Sequence, residues 1–342
     1  MSYDLVVIWR VLDQCNLGCP FCEYRKDLRF KRIVTDLEKV LNFGQVLVDY
    51  SQATGRKILI SWLGGEPFLW KHIISASETF RRGGIHISTT TNGTRFVDDT
   101  VIEQTARIFS EITFSIDGNG SSHDIIRRQN GLFQSVRESI KKLHSARKNH
   151  SDYLLNTIRV NTVLNGQSIL EFENFCNLLA EIGVDEISFN QLIADKESGL
   201  YQQYGLTSKN ISVIRAIQKL QSVLLDKHGL KLLGAPIYFD RIIDYINDIP
   251  VPVTDCNPGS RFLFIDQFGN VGPCSFLTAL SGINISDIDS QEKISELPML
   301  FRSLIAKQQP LACQNCMDTN VFGKFQFPLR PSVSSDKLEQ IM

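Results

Sequence analysis

The sequence predicts an α/β protein, a partial (β/α)6 barrel of the TIM type followed by a smaller α+β unit. Three observations carry this expectation. Apolar strand segments alternate with helical segments through the first 195 residues, the pattern of parallel strands with helices outside. An open doubly wound sheet fits that alternation as well as a barrel does. Polar and glycine-rich clusters follow the first four strands. In a barrel those strand ends converge on one mouth, where the clusters would form a shared site.

The elements follow in order. "LVVIWRVL" (5–12) reads as a buried strand, and "DLEKVLNFGQVLVDYS" (36–51) has helical periodicity with Thr35 or Asp36 as its cap. "KILISWL" (57–63) is strand and 68–82 helix; "IHISTTT" (85–91) is strand and 98–109 helix. "EITFSID" (111–117) is strand and 132–148 helix; "NTIRVNTVL" (156–164) is strand and 168–182 helix; "DEISFNQLI" (185–193) is the sixth strand. Beyond residue 195 the alternation weakens. Residues 210–228 read as a helix, and 234–260 as a boundary region rich in Pro, Gly and Asp. "FLFIDQFGNVGPC" (262–274) reads as a β-hairpin with "FGN" as its turn, and a helix at about 293–307 leads to "CQNC". The expected division is 1–230, 231–327 and a polar tail, 328–342.

The chain has 342 residues, is 43% hydrophobic and carries a net charge of −1. That composition is globular, and the charge balance gives no reason to expect nucleic acid. The N-terminus lacks the basic start, apolar core and cleavage site of a signal peptide. No apolar run reaches the roughly 18–20 residues that span a bilayer. The expected setting is the cytoplasm, where disulfide frameworks are rare.

Chemistry concentrates in eight cysteines. Cys15, Cys19 and Cys22 lie within "DQCNLGCPFC", Cys256 and Cys274 flank the hairpin, and Cys313 and Cys316 form CxxC. Cys176 stands alone on a helical stripe with Phe172, Phe175 and Leu179 and reads as a buried structural thiol. A triplet of thiols can staple the chain, hold metal or do redox chemistry. Closed structural zinc wants four ligands, and the nearest histidine is the distant His72. A [4Fe–4S] cluster takes four thiolates when fully ligated, so three leave one iron open to a cofactor or substrate.

"CNLGCPFC" resembles the CxxxCxxC signature of the radical S-adenosylmethionine (radical SAM) enzymes, and further matches accompany it in register. "GGEP" (Gly64, Gly65, Glu66 and Pro67), after the second strand, resembles the family motif that binds the SAM amine. Glycines there let backbone approach a ligand closely, and a glutamate accepts charge-assisted bonds from an ammonium. "FSIDG" followed by "HDIIR" resembles the stretch that binds the SAM ribose and carboxylate; Ser115 and Asp117 would meet hydroxyls and Arg127 the carboxylate. Thr91 and Asn92 of "TTTNGT" would face the mouth, and Phe21 occupies the position of an adenine-side aromatic. The resemblance implies one-electron reduction of SAM at a [4Fe–4S] cluster. A 5′-deoxyadenosyl radical then takes hydrogen from substrate, with a flavodoxin- or ferredoxin-type protein as electron donor.

Cys256-x12-Gly-x4-Cys274 resembles the opening of the SPASM extension of that family, and the ending at CxxC resembles its shortened twitch form. This implies one auxiliary [4Fe–4S] cluster on Cys256, Cys274, Cys313 and Cys316. Four thiolates would also satisfy structural zinc, the alternative that the resemblance weighs against. Full ligation suits electron transfer, hence a two-electron oxidation of the substrate. The first strand starts near residue 5, leaving no room for the peptide-binding domain common among peptide-modifying relatives, and this favours a small-molecule substrate. The alternatives are a maturase of ribosomally made peptides and a non-catalytic metal-binding protein. The latter has no need of GGEP. "EYRKDLRFKR", with Arg25, Lys26, Arg29, Lys31 and Arg32, is either a solvated loop or a dock for an acidic donor or anionic substrate. No catalytic acid or base can be assigned. Arg10 and Arg159 are candidate substrate contacts.

Overall fold

A computed structural model describes residues 3–28, 31–253 and 256–324. Arg29, residues 325–327 and the tail expected at 328–342 lie outside them. The strands are β1 (Leu5–Leu12), β2 (Ile58–Gly64), β3 (His86–Thr91), β4 (Glu111–Ser115), β5 (Thr157–Leu164), β6 (Glu186–Gln191), β7 (Lys231–Leu232), β8 (Phe262–Ile265) and β9 (Val271–Gly272). They form one sheet in the order β7-β6-β5-β4-β3-β2-β1-β8-β9, parallel except for β8 against β9. The first six strands are therefore laid down in sequence, each beside the last.

Helices connect them: α1 (Leu37–Thr54), α2 (Ile73–Arg82), α3 (Asp99–Ile108), α4 (Gly120–Arg127), α5 (Leu132–Asn149) and α6 (Phe172–Glu181). Then come α7 (Gly199–Tyr204), α8 (Ile211–His228), α9 (Pro236–Ile246), α10 (Thr278–Ser281), α11 (Gln291–Gln308) and α12 (Leu311–Gln314). Asp36 caps α1 by accepting the Lys39 N–H at 3.1 Å, settling the choice between Thr35 and Asp36. The expected elements through residue 193 are present within a few residues of their predicted bounds.

Three places differ from expectation. The stretch 118–127 holds the helix α4, where sequence showed only motif residues. The expected boundary region contains α9, whose Pro236 sits in the first turn, where a missing N–H costs nothing. Buried Tyr238, Phe239, Ile242 and Ile246 give that helix its reason to form. Finally, the 262–274 hairpin is not detached: β8 pairs with β1 at Val6–Phe262 through Trp9–Ile265 and extends the main sheet.

The two sheet faces differ in chemistry. The helix-covered face is apolar, with Val7, Trp9, Ile60, Trp62, Ile87, Ile112, Phe114, Val160 and Phe189 in the main core. Cys176 is wholly buried there, as a structural thiol should be. On the opposite face a small apolar cluster of Tyr3, Val6, Ile8, Leu59, Phe262 and Phe264 fills the β1–β2–β8 region. The rest of that inner face is polar but for Val163 and is joined by register: Ser61–Ser88, Thr90–Thr113, Ser115–Asn161 and Asn161–Ser188. Toward the C-terminal ends, Arg10, Leu63, Thr90, Ser115, Asn161 and Asn190 are half-buried, whereas their neighbours on the other face, Gly64 apart, are buried. Parallel strands are normally apolar on both faces, so a polar half-open face marks where something other than a helix is received. No helix among the described residues is long and apolar enough to cross a membrane.

Candidate active site

The first three cysteines lie in the loop between β1 and α1, at the C-terminal ends of the strands. Charged side chains and backbone amides of the loop itself hold it in place. Asp13 accepts the Ile33 N–H at 2.7 Å, and the Lys26 N–H donates to the Leu17 carbonyl at 2.8 Å. The Arg32 guanidinium donates to the carbonyls of Asp13 (2.9 Å), Arg25 (2.8 Å) and Leu28 (3.2 Å). Arg25 donates to the Pro20 carbonyl and pairs with Asp27. Two members of the basic stretch expected to be solvated or to dock a partner are thus braces of the loop. The reason is that its irregular carbonyls need donors.

Each of the three sulfurs meets an N–H. Leu17 N–H and Tyr24 N–H approach Cys15 Sγ and Cys22 Sγ, each at 3.4 Å. The Asn92 amide lies 3.9 Å from Cys15 Sγ, and Arg127 Nη1 lies 3.9 Å from Cys19 Sγ. Burial pushes all three thiols up, Cys15 to about 11, while Arg127 pulls Cys19 and Cys22 down. Among the described residues, no three His, Cys, Asp or Glu side chains are grouped tightly enough to share one metal ion. Ligands of a four-iron cluster bind separate irons, so the donor set, three free thiols with N–H groups directed at them, fits such a cluster.

The GGEP loop, after β2, is bonded to this loop. Gly65 N–H donates to the Leu12 carbonyl at 3.0 Å and Glu66 N–H to the Gln14 carbonyl at 2.8 Å. A Cβ on Gly64 would stand 2.4 Å from the Leu12 oxygen, and one on Gly65 would stand 2.2 Å from the Gln14 oxygen and 2.8 Å from Cys15 N. The close approach that demands glycine here is made by the cysteine loop's own backbone, where the sequence suggested a ligand. Pro67 opens a short 3-10 turn, Pro67–Leu69.

Glu66 is wholly buried, and among the described residues no cation forms a salt bridge with it. Its Oε1 accepts the Phe68 N–H (3.1 Å) and the Thr91 hydroxyl (2.7 Å), and its Oε2 accepts the Asn92 N–H (2.7 Å). Thr91 and Asn92, at the end of β3, are thus brought to the site, and Glu66 is the strut that holds them. Asn16 and Thr94, which the sequence reading missed, complete the link: Asn16 donates to the Thr94 hydroxyl and accepts from the Asn92 amide, each at 2.9 Å. The only signal was an asparagine between two cysteines. Burial raises Glu66 to about 6 against the pull of its three donors. A carboxylate raised in the folded state costs nothing below its ordinary value of 4.5 and its full cost above about 6. The stability advantage of wild type over Glu66→Gln should therefore shrink by about 2 kcal/mol from well below 4.5 to well above 6. Urea unfolding of both proteins at pH 4.5, 5.5 and 7 measures it; a constant difference assigns the carboxyl no raised value.

Asp117 and Arg127 meet each other, their closest atoms 2.7 Å apart. Asp117 also accepts the Val163 N–H at 2.8 Å, and its own N–H donates to His123 Nδ1 at 3.1 Å. That bond leaves the proton on Nε2, and burial lowers His123 to about 3, so the ring is neutral. Asp117 and Arg127, both expected to meet a ligand, form a buried ion pair beside Cys19, and among the described residues Arg127 Nε has no hydrogen-bond partner. Ser115 ends β4, half-buried on the inner face opposite Asn161. Phe21 packs between the main core and a smaller cluster of Ile126, Leu192, Tyr201 and Tyr204.

Arg159 is not a substrate contact. It lies on the same face at the opposite, N-terminal end, fully engaged with Glu111 (3.1 Å) and Glu186 (2.5 Å). Burying a cation requires such pairing.

The second group of cysteines is assembled from three segments. Cys274 interacts electrostatically with Cys256, Cys316 and Asp318, and Cys316 with Cys313. Cys316 N–H donates to the Val251 carbonyl at 3.0 Å, and Val253 N–H to the Cys313 carbonyl at 2.9 Å. Arg241, on α9, donates to the carbonyls of Cys316 (2.7 Å), Pro252 (3.1 Å) and Val251. Burial raises Cys274 above the thiol range and Cys316 to about 11.

A parallel α/β sheet with a three-thiol loop and a bonded glycine-rich loop at its strand ends is a metallocofactor-dependent enzyme scaffold. The model of the radical SAM superfamily matches residues 9–179, half the chain, and the protein belongs to that superfamily. It is a SAM-dependent iron–sulfur enzyme. It is 23% identical over 287 residues to the AdoMet-dependent heme synthase of Nitratidesulfovibrio vulgaris, covering 80% of this chain and 74% of that one. It is 24% identical over 190 residues to the Fe-coproporphyrin III synthase of Methanosarcina barkeri, covering 55% and 44%. The fold resembles that of anSMEcpe with bound AdoMet, with a TM-score of 0.65, 16% identity and coverage of 92% and 88%. It also resembles SuiB of Streptococcus suis, with a TM-score of 0.61, 15% identity and coverage of 85% and 65%. The chain thus spans under half of the Methanosarcina protein and just under two thirds of SuiB.

Proposed function

We propose that the protein is a radical SAM oxidoreductase acting on a small molecule bound over the polar inner face of a partial barrel. The observation that carries this is the juxtaposition at the strand ends: three thiols, each met by an N–H, beside a half-open tract of Arg10, Thr90, Ser115, Asn161 and Asn190. Curling of the sheet is supported from its two edges. Cys274 follows β9, yet it interacts with Cys316, whose segment is bonded to residues 251–253. Nearby, Tyr238 of α9 donates to the Phe189 carbonyl of β6.

In this reading Cys15, Cys19 and Cys22 would hold a [4Fe–4S] cluster, and with SAM it would supply the radical chemistry of hydrogen abstraction. The chain's own residues do the positioning. Gly64, Gly65 and Pro67 fix the GGEP backbone against the cysteine loop, and Glu66 aligns Thr91 and Asn92. Ser115 offers a hydroxyl for the ribose, Phe21 an apolar wall for the adenine, and the Arg127 Nε side a donor for the SAM carboxylate. Cys256, Cys274, Cys313 and Cys316 would hold an auxiliary [4Fe–4S] cluster in a twitch-like unit over 231–327, giving the substrate's second electron an acceptor. A cytoplasmic setting and a flavodoxin- or ferredoxin-type donor belong to the same reading.

The curated relatives favour a small molecule, being named for heme, coproporphyrin and nucleotide chemistry. SuiB bound to its precursor peptide and anSMEcpe bound to a peptide keep peptide modification as the second reading. The test is SAM binding by the anaerobically reconstituted protein. Arg127→Lys keeps the charge that Asp117 needs but loses the planar fork. It should weaken SAM binding about tenfold at full iron content, a charge-assisted bond being lost. Unchanged affinity would place the SAM carboxylate elsewhere.

A further inference from the structure

Arg10 is the inner-face guanidinium that the fold leaves with unfilled donors. Its carbon lies 4.7 Å from the centre of the Tyr24 ring and 5.1 Å from that of Phe264. Aromatic faces stabilise the cation but give its in-plane N–H groups no acceptor. Among the described residues those groups make only long contacts, Nη1 to Gln267 Oε1 at 3.5 Å and Nη2 to Glu23 Oε1 at 3.6 Å, and the buried Nε has no partner. Glu23 is 71% exposed, so water screens its hold on the arginine. Arg159 shows the contrast: on the same face, its guanidinium is filled by two carboxylates.

Position adds to chemistry. Arg10 pairs in register with half-buried Leu63, within the open end of the face. Tyr24 follows Cys22 by two residues, and Phe264 and Gln267 lie between Cys256 and Cys274. The guanidinium therefore stands between the first cysteine loop and the β8–β9 hairpin. The other residues of the open tract, Thr90, Ser115, Asn161 and Asn190, are uncharged, and the Asn190 side-chain oxygen is buried without a partner.

We propose that Arg10 anchors the substrate by an oxyanion, a carboxylate or a phosphate, while the neutral tract meets an uncharged polar remainder. A planar fork with unfilled N–H groups is complementary to either anion. This rests on the reading that substrate lies over the inner face, but not on SAM chemistry, so anion binding and SAM binding are measured separately.

The probes are tricarballylate and pyrophosphate, titrated calorimetrically into the anaerobically reconstituted protein at low ionic strength. One of them should bind, and which one distinguishes a carboxylate from a phosphate substrate. Arg10→Gln should weaken that binding about tenfold. Glu23→Gln, at an exposed side chain, should strengthen it by removing a competing carboxylate. Neither anion binding wild type, or equal binding by wild type and Arg10→Gln, overturns the assignment. If Arg10→Gln does not fold, Glu23→Gln decides, and unchanged anion affinity in it overturns the assignment as well. SAM binding lost from wild type while anion binding persists refutes the cofactor reading and leaves the anchor standing.

Discussion

Alanine at Cys15, Cys19 and Cys22 together should abolish formation of 5′-deoxyadenosine from SAM and remove about half of the iron, roughly four of eight atoms. The loop that carries these thiols does not depend on them for its shape. Arg32 holds its carbonyls, and Gly65 and Glu66 hold its first turn through backbone bonds. The triple variant should therefore fold, with the second thiol group untouched on its own segments. Iron and sulfide content, electron paramagnetic resonance and chromatography of the SAM products read the result. Full retention of iron in the variant, or zinc as the dominant metal in wild type, sinks the two-cluster assignment.

Gly65→Ala should be nearly as damaging, although no ligand chemistry is removed. The added carbon would stand 2.2 Å from the Gln14 oxygen, 2.4 Å from its carbonyl carbon and 2.8 Å from Cys15 N. All three are backbone atoms, so no side-chain rotation relieves the contact. The cysteine loop must move, which breaks the 3.0 Å and 2.8 Å bonds from Gly65 and Glu66. Overpacking of this kind costs about 1–3 kcal/mol. The expected result is lower thermal stability together with selective loss of iron from the three-thiol site. Gly55→Ala is the control, since nothing lies within 4 Å of its added carbon. Gly55 has φ 68°, so that control should lose some stability by backbone strain while keeping its iron. Wild-type iron content in Gly65→Ala would show that the loop tolerates the shift.

Much of this molecule was legible in its residues. Strand–helix alternation placed β1 to β6, because the apolar residues each strand turns to the helix-covered face recur at period two and are read from the strand alone. The spacing of Cys15, Cys19 and Cys22 and the GGEP motif are local, and local spacing survives reading in one dimension. The helix α9 was missed because proline and glycine were read as breakers, and Pro236 sits where a helix tolerates it. The placement of β8 against β1 was missed because strands 250 residues apart carry no mutual signal in one sequence.

The sequence by itself determined the family, the thiols available for iron and the order of the sheet's first six strands, since each follows from residue type at short spacing. Only the tertiary structure decided what the polar groups face. Glu66 reaches Thr91 and Asn92, Arg127 reaches Asp117 and Cys19, Arg32 turns onto its own loop and Arg159 is filled at the far end of the sheet. A carboxylate or guanidinium has the same chemistry whether its partner is a ligand or another part of the chain. Which it meets depends on contacts between residues distant in sequence, and those exist only once the chain has folded.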